Sequence, residues 1–233
     1  MIILLTNDDG IGAEGIQALR EAVETAHPEA QIYTVAPAGA MSLVGHRVTT
    51  HAPIQVEEKG IRSWAVHGTP ADCVRLALHE LLPKAPDWVF SGINHGGNMG
   101  QDIYISGTVA AVREATYHSH RGIAFSQYVR KGQPLDWKLA GRQVAEILPR
   151  LVEETLEAGQ LLNVNLPHLE GEEVKLEVVE TKPEMGPLPV AFSNSEQGYQ
   201  YTGAYGDRPN AEGSDVHVCF SGRISLSRLN IHN

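Results

Sequence analysis

Four short segments of this chain are apolar at most positions without strict alternation: Ile2–Thr6, Gln31–Ala36, Trp88–Ser91 and Ile123–Ser126. Runs of this kind suit strands covered on both faces of a parallel sheet, since a strand covered on one face alternates apolar and polar residues. Between them the apolar positions change period. Ile16, Leu19, Val23 and Ala26 recur at helical spacing, and so do Val74, Ala77, Leu78 and Leu81. The second of these helices carries a start signal, with Thr69 as N-cap and Pro70 in the first turn. A third helix is predicted from Gly107 to about Tyr117. A longer one is predicted from Trp137 to about Leu156, bent or divided at Pro149, which has no N–H for the helical ladder. This alternation predicts a doubly wound α/β sheet that binds ligands outside the carboxyl ends of its strands.

The pattern changes after residue 160. Asn163–Leu166, Val174–Thr181 and Arg223–Leu229 read as strands, and the stretch 182–214 between the last two is rich in Gly, Pro, Ser and Asn. That stretch is too long for an ordinary connection, and Tyr199, Tyr201 and Tyr205 among its glycines suggest an extended hairpin or arm. The expected organisation is a core over 1–165 and a β region with the arm over 166–233, both in one folding unit.

Composition narrows the function. Of 233 residues, 42% are hydrophobic and 20% charged, which fits a soluble globular chain with one sizeable core. No apolar run approaches the roughly 18–20 residues that cross a bilayer. The opening MIILLTNDDG lacks a basic leader and reads as a strand rather than a signal peptide. Cys73 and Cys219 form no CxxC and no disulfide framework, so buried thiols in a cytoplasmic protein are expected. A net charge of −10 argues against a nucleic-acid polymer as partner. A single small phosphate is still admissible where a metal or a helix end supplies local positive potential.

Four segments placed at predicted strand ends carry candidate chemistry. In Thr6-Asn7-Asp8-Asp9-Gly10, two adjacent carboxylates followed by glycine suit a hard cation such as Mg²⁺ or Mn²⁺, or alternatively cap the next helix. Ser42 follows the Ala36-Pro37 end of the second strand and is either a hydroxyl ligand or a loop serine. Ser91–Gly100 holds four glycines and two asparagines, Asn94 and Asn98, whose amides can serve a metal by oxygen or a phosphate by nitrogen; the same composition also makes an elaborate turn. His95 within it has no partner at ligand spacing. Ser106-Gly107-Thr108 opens a predicted helix and is a cap, a phosphate cradle, or both. Their joint placement favours a metal-dependent phosphate-monoester hydrolase.

With these segments in view, the chain resembles the SurE family of metal-dependent 5′-nucleotidases. The resemblance rests on ILLTNDDGIGAEGIQAL at 3–19, VAP at 35–37, VHGTPADCVRLAL at 66–78, SGINHGGNMG at 91–100, SGTVAAVREA at 106–115 and LLNVNLP at 161–167. GSD at 213–215 and GRISLSRL at 222–229 follow in the expected order. It implies a Rossmann-like fold with a smaller C-terminal β region whose hairpin is exchanged between subunits, and a homodimer or homotetramer. It implies one divalent ion per subunit held by Asp8, Asp9, Ser42 and Asn94, with Asn98, Ser106, Gly107 and Thr108 holding the phosphate of a nucleoside monophosphate. Asp8, Asp9, Asn98 and Ser106 would then be the catalytic set, with Asp9 the nearest acceptor for a proton from water. One departure stands out. Ala38, Gly39, Ala40 and Met41 occupy positions that are polar and charged in the family, and Leu43 replaces the usual glycine after the serine. That loop keeps open a second reading, a non-catalytic metal-dependent nucleotide- or phosphate-binding protein.

Overall fold

The computed structural model describes residues 1–169 and 176–232. In chain order the elements of the first half are β1 (Ile2–Thr6), α1 (Glu14–Ala26), β2 (Gln31–Pro37), β3 (Val56–Gly60), β4 (Ser63–Val66), α2 (Pro70–Leu76) and β5 (Trp88–His95). There follow α3 (Asp102–Ile105), α4 (Gly107–Tyr117), β6 (Gly122–Gln127), α5 (Trp137–Val152) and β7 (Gln160–Leu166). The last elements are β8 (Val178–Thr181), β9 (Phe192–Ser195), β10 (Gly198–Tyr201), α6 (Asp215–Phe220) and β11 (Ile224–Asn230).

Among the described residues one sheet has nine strands, in the order β3-β4-β2-β1-β5-β6-β7-β11-β8. The six from β4 to β7 are mutually parallel. At one edge β3 runs antiparallel to β4; at the other, β11 runs antiparallel to β7 and parallel to β8. The separate hairpin β9–β10 is antiparallel.

Consecutive side chains of β1 point to opposite faces, and each face meets its own helices. Ile3 and Leu5 join a cluster with Ile16, Leu19 and Val23 of α1 and Val144, Leu148 and Leu151 of α5. Leu4 joins Val74 of α2 and Ala111 and Ala115 of α4 on the other face. Each fully buried Leu, Ile or Phe contributes about 1.5–3 kcal/mol over leaving it exposed, which is why the central strands tolerate no alternation.

Several expectations shift. β5 runs four residues beyond Ser91, through a register irregularity between Ser91 and Asn94, so the glycine-rich segment begins on the strand. α2 continues as a wider π-type turn over Ala77–Leu81, which keeps Leu78 and Leu81 against the core. α5 is not divided at Pro149; it ends three residues later, and the proline forfeits the ladder bond to the Ala145 carbonyl close to the helix end. β3 is exposed at all five positions and therefore carried no apolar signal. Residues 174 and 175 of the strand expected from Val174 lie outside the described residues, and β8 begins at Val178. Cys73 and Cys219 are buried and unpaired. Among the described residues no helix is long and apolar enough to cross a membrane.

The strand order explains where a ligand would sit. From β1 the chain winds outward through β2 to β4, then returns to lay β5 on the opposite side of β1 and continues to β6 and β7. The crossovers leave β1 in opposite directions, so the carboxyl ends of β1 and β5 flank an open crevice.

Candidate active site

Both aspartates emerge from β1 into this crevice. The turn that presents them is tied by Asn7, whose amide nitrogen donates to the Gly10 carbonyl (2.8 Å) and whose amide oxygen accepts from the Gly10 N–H (3.2 Å). Asp8 is 5% exposed. Its Oδ1 accepts from the Thr108 hydroxyl at 2.5 Å, so the start of α4 abuts the carboxylate. Gly107 makes that approach possible: a Cβ there would lie 2.8 Å from the Asp8 Cβ and 3.0 Å from its Oδ2. Asp9 is half-buried, and its Oδ2 accepts from the His95 N–H at 2.9 Å. Burial pushes the Asp8 carboxyl up to about 6; the Thr108 hydrogen bond opposes this and the neighbouring Asp9 charge adds to it.

The same contacts bring the other two candidate ligands alongside. Asn94 immediately precedes His95 on β5. Its amide nitrogen donates to the Gly96 carbonyl (2.8 Å), leaving its Oδ1 without a partner among the described residues. Ser42 follows Met41, whose N–H donates to the Asp8 carbonyl at 2.7 Å; the Ser42 side chain is exposed. The connection from β2 to β3 that carries Ser42 has no regular structure, yet it is pinned along its length. The Gly45 N–H donates to the Ile105 carbonyl (3.0 Å), His46 Nε2 pairs with Glu114 Oε2 (2.6 Å), and Thr49 donates to Asp72 from its N–H (2.8 Å) and hydroxyl (2.7 Å). Asp72 also closes the capping box with Thr69 at the start of α2. Loop position therefore depends on backbone bonds and on residues 45–49, not on the apolar side chains at 38–41.

Asn98 lies deeper, 6% exposed, and is held from β6 and β7. Its N–H donates to Asn165 Oδ1 (2.8 Å), its carbonyl accepts from Asn163 (2.9 Å) and Asn165 (3.2 Å), and its side-chain nitrogen donates to Ser126 Oγ (2.8 Å). Ser106 is the N-cap of α4; its hydroxyl oxygen accepts from the Val109 N–H at 3.1 Å, so its own proton can serve a further acceptor. The Thr108 hydroxyl is committed to Asp8. Asn163, Asn165 and Ser126 were not singled out from the sequence as site residues. Their available signal was polar residues two apart inside apolar strands, where an unpartnered amide is costly to bury.

The donor set fits a hard divalent ion. Asp8 and Asp9 supply carboxylate oxygens, while Asp9 Oδ1, Asn94 Oδ1 and the Ser42 hydroxyl have no protein partner among the described residues. Among those residues no group of three His, Cys, Asp or Glu converges; the candidate set of two carboxylates, an amide and a hydroxyl is all oxygen, the donor type that Mg²⁺ and Mn²⁺ prefer. The buried hydroxyls of Thr6 and Ser91, paired in register just below the crevice, also lack partners among the described residues.

The chain is similar to known proteins over most of its length. Residues 3–185 match the family described as survival protein SurE. A relative from Nostoc sp., whose own name marks its 5′-nucleotidase assignment as provisional, is 45% identical over 231 residues, spanning 99% of this chain and 100% of its own. The 5′-nucleotidase SurE of Geobacter sulfurreducens is 38% identical over 237 residues, covering 99% of this chain and 88% of that protein. The crystal structure of the SurE protein from Aquifex aeolicus superposes with a TM-score of 0.84 at 32% identity, over 99% of this chain and 93% of that one. The chain belongs to the SurE family.

Proposed function

We propose that this protein is a divalent-metal-dependent phosphomonoesterase that hydrolyses nucleoside monophosphates to nucleoside and phosphate, a 5′-nucleotidase of the SurE type. The observation that carries the reading is the contact between Asp8 and the start of α4. It sets a carboxylate of the metal-binding type against a helix end of the phosphate-binding type, at the point where the strand order reverses.

Asp8, Asp9, Ser42 and Asn94 would hold one Mg²⁺ or Mn²⁺ ion per subunit. When bound, such an ion supplies Lewis-acid stabilisation for charge developing on the phosphoryl oxygens. The chain supplies the rest. The Ser106 hydroxyl, the Gly107 N–H and the Asn98 amide would donate to phosphate oxygens. Thr108 orients Asp8 through its hydroxyl and reaches phosphate only through its backbone. The Asp9 carboxylate would be the acceptor for a proton from attacking water. The protein is taken to be cytoplasmic, from its unpaired buried thiols, and to be a homodimer or homotetramer built through the 166–233 region.

The apolar 38–41 segment favours the rival reading of a binder without turnover, and one assay separates the two. Purified protein is offered p-nitrophenyl phosphate and nucleoside 5′- and 3′-monophosphates with Mn²⁺ or Mg²⁺, then with EDTA. Phosphate release that EDTA abolishes and metal restores is expected, strongest on the nucleotides. Asp9→Asn should reduce turnover by at least about 10²-fold. Nucleotide binding without release supports the binder, and near-normal turnover by the Asp9→Asn protein overturns the assignment of that carboxylate.

A further inference from the structure

The two roots of the hairpin arm rest on the glycine-rich segment that carries Asn98. On one side, Asp215 accepts from the Gly100 N–H through Oδ2 and from the Glu184 N–H through Oδ1, both at 2.8 Å. On the other, Tyr205 donates its hydroxyl to the Gly97 carbonyl (3.1 Å) and to Asp102 Oδ2 (3.0 Å), which share its single proton. Arg208 holds that tyrosine in place. Its guanidinium forks onto both oxygens of Asp102 (2.7 and 3.0 Å), donates to the Tyr205 hydroxyl (3.1 Å), and lies 3.9 Å above the Tyr205 ring. Tyr128 stacks on the same ring at 6.3 Å.

The Gly97 carbonyl and the Asn98 N–H belong to one planar peptide unit. Asn165 grips the N–H end from the sheet and Tyr205 grips the C=O end from the arm, so the rotation of that plane is held at both ends. Gly97 is packed so closely that a Cβ there would lie 3.0 Å from the Tyr205 hydroxyl and 2.7 Å from the Met99 methyl. Burial, with Asp102 beside it, pushes the Tyr205 phenol far above its ordinary value, so the hydroxyl stays a donor at every working pH.

We propose that Tyr205, backed by Arg208 and Asp102, is a positioning residue of the hydrolase that sets the Gly97–Asn98 peptide and thereby aims the Asn98 amide at substrate phosphate. The inference rests on the reading of Asn98 as a phosphate-holding residue. It makes the substrate side of the site depend on the C-terminal segment, whereas among the described residues Asp8, Asp9, Ser42 and Asn94, the proposed metal side, make no hydrogen bond to that segment.

The test compares wild type, Tyr205→Phe, Arg208→Lys and Asn98→Ala as full-length protein, reading KM and kcat on p-nitrophenyl phosphate and a nucleoside monophosphate, Mn²⁺ affinity by titration, and Tm. Tyr205→Phe keeps the ring and its stacking and loses only the hydroxyl. Loss of the part-buried hydroxyl, with its shared bond to the Gly97 carbonyl and Asp102 and its contact with Arg208, should raise KM about 3- to 10-fold, with kcat and Mn²⁺ affinity held within about twofold. Arg208→Lys, which loses the fork and the support of the hydroxyl, should raise KM in the same sense. If Tyr205→Phe instead loses kcat with KM unchanged, or loses Mn²⁺ affinity, or matches wild type, the proposal is overturned. Asn98→Ala separates the two layers. Raised KM there beside unchanged KM in Tyr205→Phe overturns this inference alone; unchanged KM in Asn98→Ala overturns the reading of Asn98 and this inference with it.

Discussion

At the residue scale, Asp8 is held in a state that works against folding. Its carboxyl titrates at about 6 in the folded chain, well above 3.8 for an ordinary aspartate, chiefly through burial. Between those two values the unfolded chain has released a proton that the folded chain retains, so folding stability declines as pH rises through that window and is level above it. The penalty at neutral pH is on the order of 3 kcal/mol in the absence of a cation. Asp8→Asn removes the charge while keeping an acceptor for Thr108. With EDTA present at pH 7.5, that variant should therefore melt higher than wild type while losing metal-dependent hydrolysis. A lower Tm would show that the carboxylate is not strained as described. The identity of Asp8 as a candidate was readable from the Asp-Asp-Gly motif. Its bond to Thr108 was not, because the two residues lie a hundred positions apart and meet only once β1 and α4 pack.

At the element scale, the β2–β3 connection shows what a pattern of apolar positions cannot report. The four central strands and the helices α1, α2 and α4 were legible because their burial is nearly complete and their periods differ. β3 is solvated at every residue, and α3 and α6 are too short to display a period. The loop itself is set by backbone bonds and by pairs such as His46–Glu114, which leave no local mark in the sequence. Leu43 within it adopts φ +57° with its side chain 75% exposed, so it bears left-handed strain with little burial to offset it. Leu43→Gly should stabilise the protein by about 0.5–1 kcal/mol, a rise of roughly 1–4 °C in Tm by thermal unfolding. An unchanged or lowered Tm would mean that Leu43 makes a compensating contact in the assembled protein.

At the scale of the whole molecule, the arm is the part least able to stand alone. All eight residues of β9 and β10 are exposed, with Phe192 and Tyr199 among the large apolar side chains left in solvent. An isolated two-stranded hairpin is marginal in water, so this one is expected to pack on another copy of the chain. Replacing residues 191–202 by a short Gly-Ser turn should lower the mass found by light scattering on a sizing column, and an unchanged mass would overturn that expectation. The doubly wound core was legible as a pattern, and so was an arm of some kind; which surfaces the arm roots touch was not, since Tyr205 and Arg208 bond to residues about a hundred positions earlier. The reversal of strand order has one more consequence, for the life of the chain before it is folded. β1 pairs along one edge with β2, where Ile2 meets Gln31, but its other edge pairs with β5, where Ile3 meets Trp88. Closing so long a loop is slow. A nascent chain thus exposes its Asp-Asp motif on an unfinished sheet edge until residues near 95 have emerged, and only then acquires Asn94 beside it.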